Sequence, residues 1–263
     1  MTLNRAICLA RSAWYGVSEP VKLSLVREVC RQADPLVSVI VPTFNRKALL
    51  IERCLKSILA QTYKNFELIV VAHGCTDGTL IAVLGLRDPR IRVVAIPREQ
   101  TYPPTLENHW FAGRVAASNV GLAHCTGKWT ATIDDDDAWT PDHIEVLLRF
   151  AQTHNYEFVS GASVRPDGAI PPYDLGGMKI GGIATWLFRS YLNSFRFNPD
   201  CWRRETDRVC DTELQARFVR AGVKIGYLDK IVTRILPRPG ETSTGLKAAR
   251  ENKESYMSRL SFK

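Results

Sequence analysis

Four consecutive aspartates, Asp134 to Asp137, stand between an apolar run, Trp129 to Ile133, and the segment Ala138-Trp139-Thr140-Pro141. Carboxylates this close raise one another's pKa unless a cation neutralises them. Oxygen-only ligands suit a hard ion such as Mg2+ or Mn2+, which is commonly held by one or two carboxylates together with substrate phosphates. The apolar run reads as a strand, so the acidic cluster lies at its carboxyl end, where ligands bind in open α/β sheets. A solvated acidic turn is the plain alternative, and the place of the cluster after an apolar strand argues against it. Trp139, just beyond, reads as a core residue rather than a platform for a ligand.

The elements that must carry this cluster follow from the hydrophobic pattern. Residues 1–34 form an N-terminal helical appendage, with Val21, Leu25, Val26 and Val29 recurring at helical spacing up to Asp34-Pro35. Leu36 to Val41 is a β-rich run stopped by Pro42, and Phe66 to Val71 and Ile91 to Ile96 repeat it, as buried parallel strands do. Over residues 47–60, Leu50, Ile51, Leu55, Ile58 and Leu59 recur at helical spacing, with Asn45 placed to cap the start. A helix is expected across 106–124, weakened at Gly113, and another from Pro141 to Thr153 capped by Thr140. The glycines and prolines of 165–182 read as one long loop, of the kind that serves as a functional lid. A strand over 184–188, a helix over 212–221 ending at Gly222, a strand over 223–228 and a short helix from Leu246 complete the pattern.

The chain has 263 residues, enough for one large domain, and 45% hydrophobic with 24% charged residues excludes fibrous and disordered classes. Lys+Arg 35 against Asp+Glu 27 gives +8 and favours an anionic partner: nucleic acid, nucleotide or lipid head group. The seven cysteines form no CxxC pair and read as reduced thiols, and neither a secretory leader nor a membrane-length apolar run is visible. A cytoplasmic protein is expected, with any membrane contact peripheral on the inner face.

Val37-Ser38-Val39-Ile40-Val41-Pro42-Thr43-Phe44-Asn45-Arg46, the turn Asp77-Gly78-Thr79, Ser118-Asn119-Val120-Gly121-Leu122 and Ile133-Asp134-Asp135-Asp136-Asp137 resemble, in order, the signatures of family 2 nucleotide-sugar glycosyltransferases. The resemblance spans about Pro35 to Leu228. It implies an α/β GT-A fold, with a Rossmann-like, mostly parallel central sheet flanked by helices. It further implies three regions: the appendage, a transferase domain over 35–237 (nucleotide-sugar half 35–140, acceptor half 141–237), and a basic tail over 238–263. The turn after the first strand, with Pro42, Thr43, Asn45 and Arg46, would hold the nucleotide together with His73, Asp77, Arg114, Asn119, Asp134 and Asp135. Asp136 and Asp134 would bind the divalent metal, Mn2+ or Mg2+. The pattern Cys210-Asp211-Thr212-Glu213-Leu214 makes Asp211 the general base of an inverting transfer, although on sequence alone it is equally a helix cap.

Two departures from the family pattern stand out. His73 occupies the place of a base-contacting carboxylate, which leaves nucleotide identity open, and Ser118 replaces an arginine, so that the phosphate-facing cation falls to Arg114 or Arg98. The implied partners are a nucleotide-sugar donor, most simply a UDP-sugar, and a cell-surface glycan or lipid-linked acceptor. The basic tail would close over the diphosphate or touch an anionic membrane. A nucleic-acid-binding protein is suggested by the charge alone and would show a basic stripe interleaved with aromatics, so no nucleic-acid partner is expected. A family member that binds sugar nucleotide without turnover is suggested by His73 and Cys210 and opposed by Asp136 and Asp211.

Overall fold

The computed structural model describes residues 3–27, 33–99, 101–205 and 208–260. Its centre is β1 (Val37–Thr43), buried at all seven positions because it pairs on both sides and is covered on both faces. β1 runs parallel to β2 (Phe66–His73) and to β4 (Trp129–Thr132), and β3 (Ile91–Ile96) adds a fourth parallel strand beyond β2. The strand does not stop at Pro42. β4 pairs only as far as Ile40, so the missing Pro42 N–H leaves no ladder bond unmade on that side, and Pro42 stays in register with Val71.

The second half of the sheet is mixed. β10 (Trp186–Arg189) lies antiparallel between β4 and β6 (Phe158–Arg165), and β11 (Ile225–Arg234) runs parallel to β6. The short β5 (Ala138–Trp139) closes the edge against β11. β11 is longer than the expected 223–228 because a bulge after Leu228 re-registers it and lets it continue along β6.

Between β1 and β2 lies the expected helix, α2 (47–59), with a π-wound middle at Leu50–Leu55. Asn45 does not cap it: Arg46 is the cap residue, while Asn45 sits at φ 48° and its side-chain oxygen accepts from the Thr76 N–H at 2.7 Å. After α3 (Thr79–Gly85), the helix expected over 106–124 is two, α4 (Leu106–Ala112) and α5 (Val115–His124), parted at Gly113-Arg114. Glycine is a poor helix former, and the break frees Arg114 to reach β4, where it donates to the Thr132 hydroxyl. Helix α6 (His143–His154) starts two residues after Pro141 with Asp142 as its cap residue; the Thr140 hydroxyl bonds the Asp142 carboxylate instead of the helix.

Residues 165–182 are not one loop. They contain β7 (Gly168–Ile170), paired with β6, and the hairpin of β8 (Tyr173–Leu175) and β9 (Met178–Ile180). Gly176 and Gly177, at φ 68° and 85°, supply the two positive-φ positions of a tight hairpin turn. Next, Gly181 ties three elements together: its N–H donates to the Ser160 hydroxyl, and its carbonyl accepts from Trp186 Nε1 and Gln215 Nε2. Gln215 lies on α7 (Cys210–Ala221), which ends at Gly222 in the left-handed conformation, as expected.

The appendage is α1 (Leu3–Val26), and it is docked: Leu23 is buried, and Glu19 pairs with Arg217 on α7. Val29 of the expected periodicity lies outside the described residues. In the tail, α8 (Gly245–Glu251) and α9 (Lys253–Leu260) pack Ala249 and Tyr256 against Leu106 of α4. None of the five cysteines described as free forms a disulfide.

Candidate active site

A cavity of about 340 Å³ opens at the carboxyl ends of β1, β2 and β4. The turn after β1 supplies Pro42, Thr43, Asn45 and Arg46, β2 ends in His73, the Gly113 break presents Arg114, and β4 leads into Asp134 to Asp137. Asp211 faces the same space from the first turn of α7. One strand-end crevice thus gathers residues spread over 170 positions of sequence, because β1, β2 and β4 are adjacent parallel strands that all point their carboxyl ends at it.

The acidic cluster is neutralised by arginines. Arg46 Nη1 lies 2.6 Å from Asp135, whose other oxygen accepts from the Thr43 hydroxyl at 2.8 Å. Arg238 Nε donates to Asp136 at 2.6 Å, with Arg46 on the same oxygen at 3.3 Å, and Arg114 pairs with Asp134 at 2.8 Å. Against the cost of burial, Arg46 and Arg238 hold Asp136 below the ordinary carboxylate range. Burial, reinforced by repulsion from the other three aspartates, lifts Asp137 well above it. Burial likewise raises Asp211, with Asp134 adding to the effect and Arg114 opposing it.

The donor set fits a hard divalent ion in one way. Asp134 and Asp136 offer carboxylate oxygens that already hold cationic groups, Arg114 on the first and Arg46 and Arg238 on the second, and a divalent ion would compete with these guanidinium groups for them. Among the described residues no three His, Cys, Asp or Glu side chains converge on one point. The chain would therefore supply one or two ligands, with phosphate oxygens completing the shell.

His73 is buried at the end of β2, and burial together with nearby Arg98 pushes its pKa down to about 4, so it is a neutral ring. The Arg98 guanidinium stacks 3.5 Å over the Phe44 ring. The close approach of these segments requires a glycine: a Cβ on Gly74 would fall 2.5 Å from Arg98 Cβ, and Gly74 is at φ 67°. His109, bonded to the Tyr102 hydroxyl at 2.9 Å, is pushed down to about 3 by burial.

Two expected donor-binding residues are absent from the cavity wall. Asp77 accepts from the N–H groups of Thr79 and Lys47, so it shapes the starts of two helices. Asn119 spends its side chain on Phe197, donating to its carbonyl at 2.9 Å and accepting from its N–H at 2.8 Å. Asp211 is not the helix cap; Val209 is, and Asp211 accepts the Thr212 N–H at 2.8 Å. Trp139 is a core residue: its indole donates to the Ala184 carbonyl and stacks on His143 at 3.9 Å.

The tail contributes residues that sequence reasoning placed only loosely. Arg238 reaches Asp136, and Tyr256 lines the cavity from α9, 5.1 Å beneath the Arg238 guanidinium. On the opposite wall, β6 and β8 add Arg165 and Tyr173, neither of which the motifs single out.

The sequence profile described as glycosyl transferase family 2 matches residues 38–214. The chain belongs to that family. The chain is 35% identical over 217 residues to a protein of Escherichia coli K12 named as a putative colanic acid biosynthesis glycosyl transferase, covering 77% of this chain and 72% of that one. An Escherichia coli protein named as a UDP-Glc:alpha-D-GlcNAc-diphosphoundecaprenol beta-1,3-glucosyltransferase is 29% identical over 176 residues, 62% of this chain and 64% of that one. An uncharacterized glycosyltransferase of Rickettsia conorii is 34% identical over 126 residues, and the match spans only 18% of its length and 48% of this chain. Staphylococcus aureus TarS in complex with UDP-GlcNAc superposes with TM-score 0.60 at 19% identity, over 85% of this chain and 64% of that one. A Pyrobaculum calidifontis mannosyltransferase in complex with GDP-Man and Mn2+ gives 0.58 at 18% identity, over 97% and 73%. These likenesses establish the GT-A fold. Among the described residues no helix is long and apolar enough to cross a membrane.

Proposed function

We propose that this chain transfers a sugar, with inversion, from a nucleoside diphosphate sugar to a hydroxyl of a glycan or lipid-linked acceptor. The observation that carries the reading is the meeting of Asp134, Asp136 and Asp211 in one cavity together with Arg46, Arg114 and Arg238. Relatives in complex with UDP-GlcNAc and with GDP-Man and Mn2+ support a nucleotide-sugar donor and a divalent ion. A divalent ion at Asp134 and Asp136, Mn2+ or Mg2+, would neutralise the charge developing on the departing diphosphate.

The chain's own residues do the rest. The turn from Pro42 to Arg46 and the neutral His73 hold the nucleoside; His73 can accept one hydrogen bond from a base N–H or donate one. Arg114 and Arg238 orient the phosphates. Asp211 takes the proton from the acceptor hydroxyl as its oxygen attacks the anomeric carbon, and the diphosphate leaves from the opposite face. The transferase domain thus divides into a donor half ending near 140 and an acceptor half beyond it. On the acceptor side, Arg165 Nε is buried without a hydrogen-bond partner and favours an acceptor that carries an anionic group. The relative named for a diphosphoundecaprenol-linked acceptor supports the lipid-linked form, which this chain would meet from the cytoplasmic face of a membrane.

Calorimetric titration with UDP, GDP and dTDP, each with and without Mn2+, tests the donor reading. Metal-dependent binding of UDP ahead of the other two is expected; no binding of any of them under either condition overturns it.

A further inference from the structure

Helix α1 carries a face that the rest of the described chain leaves bare. Trp14, Val17, Val21 and Leu25 are 64%, 70%, 55% and 80% exposed, and their spacing of three, four and four residues puts them on one stripe. At 3.6 residues per turn they fall within about 80° of arc and extend about 16 Å along the helix. The opposite face is the docked one, with Leu23 in the core and Glu19 against Arg217.

Charge decides what fits this stripe. Glu19 is the sole acidic residue of α1, and it is buried, so among the described residues the outer face of the helix presents no negative charge. Lys22 is exposed beside Val21, and the chain as a whole carries +8. A second protein surface of ordinary composition would gain nothing from this one-sided charge. An apolar stripe with a tryptophan at one end, flanked by cation and free of anion, matches the boundary between lipid head groups and acyl chains. The basic tail is a poorer candidate, because Arg238 spends its charge on Asp136 and Glu241.

We propose that the outer face of α1 docks on an anionic lipid bilayer, with Trp14, Val17, Val21 and Leu25 in the interface and Lys22 at the phosphates. Because α1 packs on α7, which carries Asp211, the membrane face is built onto the helix that presents the acceptor-side carboxylate.

The test is co-sedimentation of the full chain with phosphatidylcholine vesicles, with and without phosphatidylglycerol, comparing the wild type with Trp14→Ser/Val21→Ser/Leu25→Ser. The wild type should pellet with phosphatidylglycerol vesicles, less so at high salt, and the variant should partition at least about tenfold less, since each exposed apolar side chain forfeits its transfer free energy. A companion measurement guards against misfolding of the variant: quenching by brominated lipid of the fluorescence that Trp14→Phe removes. A wild type that stays in solution with both vesicles, a triple variant that pellets equally, or an unquenched Trp14 overturns the proposal. So does light scattering that shows a dimer dispersed by the triple substitution, which would assign the stripe to a second copy. None of these readouts depends on nucleotide binding, so the donor reading stands or falls separately.

Discussion

Arg238 donates from Nε to the Asp136 carboxylate at 2.6 Å although the two residues are 102 positions apart. The contact joins the tail to the strand-end cluster and holds α8 and α9 over the cavity through the Tyr256 ring. Arg238→Gln should leave Asp136 with Arg46 alone, so the Asp136 carboxyl titrates higher. Removing one partner of a largely buried charged pair costs about 2 kcal/mol. A lower thermal midpoint and a tenfold or greater weakening of UDP binding are expected; unchanged values for both would show the contact to be incidental.

Asp211 should separate binding from chemistry. Asp211→Asn keeps the shape of the side chain and its place in the first turn of α7 but cannot take a proton, so UDP titrates as before while transfer falls by about a hundred- to ten-thousand-fold. Burial, with Asp134 adding to it, raises the Asp211 pKa, and the base works only when ionised. The acid limb of kcat/KM should therefore lie above the ordinary carboxylate range, with rate lost as pH falls through it. An active Asp211→Asn enzyme removes the base assignment.

The four parallel strands β1 to β4 and the acidic cluster were legible because both depend on local pattern, β-rich runs and carboxylates at a strand's end, whereas β6, which pairs with β7, β10 and β11, was not among the expected strands. Asp77 and Asn119 lie off the cavity wall, a placement that the motifs do not reveal because a polar residue in a motif looks the same whether it faces a cavity or, as here, bonds Thr79 and Phe197. The hairpin at 173–180 was hidden by its composition, since the glycines that suggest a loop also make its turn. The tail was expected near the diphosphate, but neither the Asp136 partner of Arg238 nor the place of Tyr256 was legible, because no local signal reports a contact made across 100 residues or more. In α1 the spacing of Val21 and Leu25 marked a helix but not its docked face: both are exposed, and Leu23 is the buried residue.

Stability should fall on the acid side for a definable reason. His143 is fully buried, its Nδ1 within 2.9 Å of the Val232 carbonyl, and burial pushes its pKa down to about 3. His73 is lowered to about 4 in the same way. A histidine depressed in the folded state contributes stability above its unfolded pKa of about 6.5 and loses it as pH falls toward the folded value, about 1.4 kcal/mol per pH unit for each group. Urea midpoints should decline from pH 6.5 down to 4. Replacing His143 by Gln, which keeps a polar side chain without that titration, should flatten the decline; an equally steep profile in the variant would assign it to other groups.

Arg217 is the buried hub between α1 and α7. It pairs with Glu19 and with Glu213 at 3.1 Å, donates to the carbonyls of Phe195 and Arg196, and lies 4.4 Å over the Tyr15 ring. Desolvation is severe enough that Glu19, even beside Arg217, is pushed up to about 7. Arg217→Met strands two buried carboxylates and should cost about 3–5 kcal/mol, the usual result of breaking such a pair from one side. Adding Glu19→Gln and Glu213→Gln removes the uncompensated charge and should recover most of the loss, so the substitutions are strongly non-additive. Denaturant unfolding of the single, double and triple variants measures this coupling. Additive losses would mean that the three side chains are held by packing alone and that the charges do not bind α1 to the helix bearing Asp211.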